Sequence, residues 1–224
     1  ASVLQISFTL LFLYLLKFTN FLVGTALSKT EVIQIAFFEF IILKDYLNFY
    51  ALLGIMISTI GVIIFSTKDL KNIFNSFFSR STIVGLFCGT LLALSVVFYR
   101  GSMEFIDFTN RNFDKALLTL FAATIIQTSL ITLYLLFFEI SEFKKLKSNI
   151  KLSALAGLFG FSATISWFYS FSLVQAALVR AVGQIELLFS YISSRFMFKE
   201  KIRFIEIFGI VVFIFGLILV IFNK

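Results

Sequence analysis

The chain has 224 residues, 60% hydrophobic and 14% charged, with a net charge of +7 and 33 phenylalanines. A soluble domain is about 45–50% apolar and about 25% charged, and a domain of this size must show many of its residues to water. With a mean hydropathy of +1.02, a soluble enzyme, a disordered chain and a secreted disulfide scaffold are excluded, which leaves a polytopic membrane protein.

A hydrocarbon core about 30 Å thick needs about 20 apolar residues of helix to cross it. Eight segments reach that length: about 2–21, 22–43, 47–66, 83–103, 115–139, 152–173, 177–198 and 202–222. Most are apolar on all sides, as helices facing lipid and one another are, and none shows the alternation of a barrel strand. The expected fold is therefore an all-α membrane bundle of about eight spans. The polar breaks at 67–82, 104–114 and 140–151 are too short to be domains. The opening residues lack a basic n-region and a small-residue cleavage site, so no signal peptide is expected.

Basic residues between the runs act as topology signals, so no nucleic-acid partner is expected. Lys68, Lys71, Arg80, Lys144, Lys145, Lys147, Lys151, Lys199, Lys201 and Arg203 outnumber Lys44, Arg100, Arg111, Lys115 and Lys224 on the other side. The bias puts the loops after the third, fifth and seventh spans inside and both termini outside. With one cysteine, Cys88, no internal disulfide can form. Without histidine there is no imidazole catalysis and no His-ligated metal, and without proline no span is kinked by that residue. No cofactor is expected. The chain also lacks a GxxxxGK[ST] phosphate loop, an HExxH pair and a paired catalytic aspartate motif, so neither an ATPase nor an intramembrane enzyme is expected.

The chain repeats itself at an offset of 155. LKDYLNFYALLGIMISTIGVII from Leu43 aligns with FKEKIRFIEIFGIVVFIFGLIL from Phe198, pairing Lys44 with Lys199, Asp45 with Glu200, Gly54 with Gly209 and Gly61 with Gly216. Carried toward the N-terminus, the offset pairs Glu31 with Glu186, Lys29 with Gln184 and Tyr14 with Tyr169. Five spans separate the copies, an odd number, so the copies are expected to be inverted. Inverted repeats are typical of secondary transporters with a site near the midplane.

Ionisable groups inside a membrane are costly, which makes each a site candidate. Glu31 and Glu186 come first, because each is the other's repeat partner. Gly183, Ser190 and Ser193 share a helix face with Glu186, and Gln34 shares one with Glu31. Either carboxylate can line a central cavity and take a cation or a proton, or it can form a structural ion pair with Lys17, Lys29 or Arg180. Arg180 can fork onto a substrate carboxylate or snorkel to headgroups. Gln184 offers hydrogen bonds. Trp167 and Tyr169 can form a stacking wall or serve as packing and interface anchors. Gly85 and Gly89, like Gly157 and Gly160, permit close helix contact. Thr124, Thr128 and Thr132 can bond to their own helix backbone and nothing more.

The run AALVRAVGQIELLFSYISSRFMFKEKIRFIEIFGIVVFIFGLILVIF at 176–222 resembles the last two helices of an EamA-domain protein of the drug/metabolite transporter superfamily. The shared features are a short Lys-Glu hinge and then a helix with glycines seven apart. The resemblance implies two inverted five-helix units, with 81–222 a complete second unit and 1–66 the last three helices of the first. It implies cytoplasmic termini, opposite to the charge count, and a gating role for the Lys44-Asp45 and Lys199-Glu200 hinges. The family often carries a proline in its fourth and ninth helices, and the corresponding helices here have none. By the same resemblance the chain is expected to export small organic metabolites, amino-acid-like compounds or drugs, by alternating access. The alternative is a non-transporting truncated relic or a membrane assembly partner. Expected partners are a small organic substrate and membrane lipid, with proton coupling and a homodimer admitted. The Phe-, Ile- and Lys-rich composition points to an AT-rich microbial genome, and the expected location is a bacterial inner membrane.

Overall fold

A computed structural model describes residues 1–17, 27–66, 79–106, 111–141, 149–198 and 203–222, and among them every regular element is a helix. In chain order these are α1 (Ser2–Leu15), α2 (Glu31–Phe38, continued by a π-helical turn Glu39–Leu43), α3 (Phe49–Ser66), α4 (Arg80–Glu104), α5 (Asn112–Phe138), α6 (Ile150–Leu173), α7 (Ala176–Gly183), α8 (Ile185–Phe198) and α9 (Phe204–Phe222). Six helices among the described residues are long and apolar enough to cross a membrane, one of them running through α7 and into α8. They match the last six expected spans. The first two, 2–21 and 22–43, lie partly outside the described residues. The span expected at 177–198 is not continuous, because α7 ends at Gly183 and α8 begins at Ile185.

Between helices in lipid there is no hydrophobic drive, so close van der Waals packing has to hold them. The α3–α9 pair does this with the repeat's own glycines. A Cβ on Gly54 would stand 2.8 Å from the Gly216 carbonyl oxygen, and one on Gly61 would meet the Phe213 backbone and, at 2.8 Å, the Gly209 carbonyl. Contacts that pair 54 with 216 and 61 with 209 make the two helices antiparallel. Below the glycines, Val62, Phe65, Phe213 and Leu217 form a buried cluster.

The main core lies around α4, which carries α1 and α2 on its flanks and buries Val97, Tyr99 and Met103. Its glycine at 89 admits the start of α2: an added Cβ would lie 3.1 Å from Gln34 Nε2 of α2 and 3.0 Å from the Ser28 carbonyl oxygen just before it. The other small pair is not used in this way. Among the described residues nothing lies where a Cβ on Gly157 or Gly160 would sit, and nearly all of α6 up to Ala163 is exposed. Ser162, Ser166, Ser170 and Thr124 spend their hydroxyls on carbonyls of their own helix. That is the local bonding that relieves a polar side chain in an apolar helix.

Candidate functional site

Both repeat-related helices are interrupted, and neither interruption involves proline. Residues 27–28 are helical, Lys29 and Thr30 form a turn, and α2 starts at Glu31; the other interruption is at Gln184. Positions 29 and 184 are partners under the offset of 155. Side chains brace the first break beside the backbone bonds that remain there. Thr30 Oγ1 donates to the Leu27 carbonyl at 2.7 Å, and the Gln34 amide donates to Thr30 Oγ1 at 3.2 Å. The Gln184 amide donates to the Lys29 carbonyl at 3.0 Å. One break is thus capped by the side chain of the other.

The charges cross between the breaks as well. Arg180 of α7 pairs with Glu31 of α2, both nearly inaccessible, with side chains 15% and 3% exposed. The guanidinium also lies over the Trp167 ring, 4.8 Å from its centroid, a favourable cation–π placement. Lys29 stands 3.7 Å from Glu186, whose side chain is 55% exposed. Each acidic residue of the repeat therefore faces a cation from the other broken helix. Among the described residues, Arg180 Nε and Gln184 Oε1 are buried without a hydrogen-bond partner, and such groups are costly unless something satisfies them.

Of the eight candidates, Glu31, Arg180, Gln184, Glu186 and Trp167 converge on this knot. Gln34 belongs to it only as a brace for the first break. Tyr169 does not belong: it points away from Trp167 and packs edge-on against Phe113 of α5 at 5.7 Å. Two residues apart on a helix lie about 200° apart, so one wall cannot hold both. The Ser190 side chain lies outside what the structure describes. Trp167 also lines a cleft of about 650 Å³ between α6, α7 and α9, walled by apolar groups including Ala163, Val179, Val182 and Val220. The aromatic ring thus joins an apolar cleft to the buried charge pair.

Trp167 is the chain's one tryptophan, and Gly183 lies so close that an added Cβ would strike its ring. Gly183→Ala is expected to push the indole off Arg180. Intrinsic fluorescence should show this as a displaced emission maximum, whereas Gly157→Ala, in open space, should leave the spectrum unchanged.

A second buried carboxylate was not singled out by sequence. Glu39, only 1% exposed, accepts from Arg100 at 2.7 Å and from the backbone N–H groups of Ala176 and Ala177 at 2.7 and 3.0 Å. Arg100, a loop charge in the topology count, also reaches Asp45 at 2.5 Å and Glu104 at 3.4 Å. The one available signal was an ionisable residue inside an apolar run, and the repeat gave Glu39 no support because its partner position holds Ser194.

A family model described as the EamA-like transporter family matches residues 79–222, well over half of the chain. No curated protein matches it.

Proposed function

The chain belongs to the EamA-like transporter family, a multi-pass membrane transporter family of the drug/metabolite transporter superfamily, and on that premise we propose that it carries a small organic solute at the crossing of its two broken helices. The observation that carries this reading is the matched pair of breaks, at Lys29–Thr30 and at Gln184, bonded to each other through the Gln184 amide. Interrupted helices at the interface of inverted repeats are where secondary transporters hold substrate. The antiparallel α3–α9 seam supports reading 1–66 and 81–222 as inverted units, since the contacts 54–216 and 61–209 exchange under the offset of 155.

Alternating access then means rocking of the two units about the knot. A solute with one group that accepts from Arg180 Nε and another that donates to Gln184 Oε1 would satisfy both buried atoms. An amino-acid-like compound has both groups, and the apolar cleft beside Trp167 would take its side chain. Export and a bacterial inner-membrane location come from the family resemblance and the composition. Proton coupling would run through Glu31 or Glu186, the carboxylates at the breaks.

The test is release from proteoliposomes loaded with a panel of amino acids and organic cations and followed by mass spectrometry. Protein-dependent release of at least one compound is expected. Arg180→Gln removes a charge-assisted contact of about 1.5–3 kcal/mol, which lowers affinity for that compound by about ten- to hundredfold. Glu186→Gln is expected to change the rate or its pH dependence. Release of no compound by the full panel would contradict the carrier reading.

The second reading, an assembly partner or a non-transporting relic, is favoured by the open face of α6. Ser2 and Gln5, the repeat partners of Gly157 and Gly160, are held by Tyr99 at 3.2 Å and Gln127 at 2.7 Å. Nothing among the described residues plays that part for α6. This reading expects a stable membrane partner or second copy to co-purify, and no transport.

A further inference from the structure

We infer that the cluster of Glu39, Asp45 and Arg100, closed on the first amides of α7, is the gate of the carrier on the side of the 44–48 loop. The inference rests on the carrier reading. Its basis is the origin of the groups. Glu39 and Asp45 belong to the first repeat unit. Arg100 and the Ala176 and Ala177 amides belong to the second. Glu39 receives Arg100 at 2.7 Å and the two amides at 2.7 and 3.0 Å, and the Gln175 amide donates to Asp45 at 2.8 Å. Every one of these bonds crosses from one unit to the other, so rocking of the units cannot proceed on this side without breaking them.

The chemistry suits a tie that is strong yet separable. A carboxylate on a helix N-terminus satisfies amides that have no partner within the helix and meets the positive end of its dipole. Arg100 meets Glu39 and Asp45 through Nη1 while Nη2 faces Glu104 of its own helix at 3.4 Å, so its planar guanidinium engages three carboxylates in a fixed geometry that lysine's single ammonium does not reproduce. The segment carrying Glu39 is itself irregular. It is a π-helical turn that ends in Lys44 at φ 57°, the one non-glycine residue with positive φ among those described. π-Helical turns recur at functional positions. Leu43 in that turn rests on α4 at Gly101, where a Cβ would lie 2.9 Å from its side chain. The repeat does not copy the device, since Ser194 stands where Glu39 would be. The tie therefore belongs to one side of the membrane.

The amides of Ala176 and Ala177 report the gate directly, because Glu39 is their acceptor. Hydrogen–deuterium exchange is measured on the full chain in lipid nanodiscs, with no solute present. In the wild-type protein these two amides should exchange faster than those in the middle of α3 and α9, as a gate opening without unfolding requires. Arg100→Gln and Glu39→Gln should each accelerate them by about tenfold or more, the scale of one charge-assisted contact removed from the closed state. Arg111→Gln, which loses an exposed pair with Asp114, should change nothing. Should the glutamine variants fail to fold, Arg100→Lys, which keeps the charge and loses the fork, should give a smaller acceleration. Exchange as slow as that of the α3–α9 seam, or unaltered by these substitutions, would make the cluster a fixed strut and overturn the gate. Transport assayed on the same wild-type preparation judges the carrier reading separately, since the exchange result needs no substrate.

Discussion

Arg180→Gln is expected to destabilise the protein by about 3–5 kcal/mol, the usual effect of removing one partner from a buried ion pair. Glu31 is 2% exposed. Without the guanidinium it would remain a charge buried inside an apolar bundle. The loss also uncovers the Trp167 ring, so unfolding in detergent should shift together with tryptophan emission. Adding Glu31→Gln should recover much of the stability, because two neutral amides can bond to each other where a lone carboxylate has no such recourse. Transport should not recover in the double variant. Lys29→Gln is the contrast. Its partner Glu186 is more than half exposed, and exposed pairs contribute about 0–1 kcal/mol.

Gly216→Ala should cause the second large effect. A Cβ there would strike the Ser58 backbone and stand 2.8 Å from the Gly54 carbonyl oxygen. Side chains can rotate away from an added methyl, whereas helix backbone cannot, so α3 and α9 must separate. The cost should reach the upper end of the overpacking range, about 1–3 kcal/mol, with further loss as the seam around Phe65 and Phe213 opens. Gly61→Ala, striking Phe213 from the other side, should act similarly. Gly157→Ala faces open space and should instead gain from the better helix propensity of alanine, by up to about 1 kcal/mol. Thermal unfolding in detergent orders the three variants.

The last six spans were legible because crossing lipid imposes a length and an apolar composition that leave their mark in any window of sequence. The α3–α9 seam was legible because glycines seven apart, present twice at one offset, mark surfaces meant for close contact. The same type of signal meets no neighbour among the described residues at Gly157 and Gly160, since spacing says that a surface can pack closely and not whether another helix reaches it. The breaks were hidden for a different reason. Proline would have announced them, but here they are held by Thr30, Gln34 and Gln184 side chains, one of them reaching from the other helix. Sequence offered Lys17, Lys29 and Arg180 as partners for Glu31, and only the crossing of α2 and α7 selects Arg180. Glu39 stayed hidden because the repeat, the strongest pattern in the chain, does not include it. Trp167 and Tyr169 were grouped by adjacency although helical geometry sets them on opposed faces.

The most direct test of a solute site at the crossed breaks is titration of Trp167 fluorescence with a compound that the proteoliposome screen shows to be released. A saturable change in emission is predicted for the wild-type protein, with a midpoint about ten- to hundredfold higher in folded Arg180→Gln. Release that persists in Arg180→Gln at the wild-type rate, with tryptophan emission indifferent to the compound, would place the solute elsewhere and contradict the account.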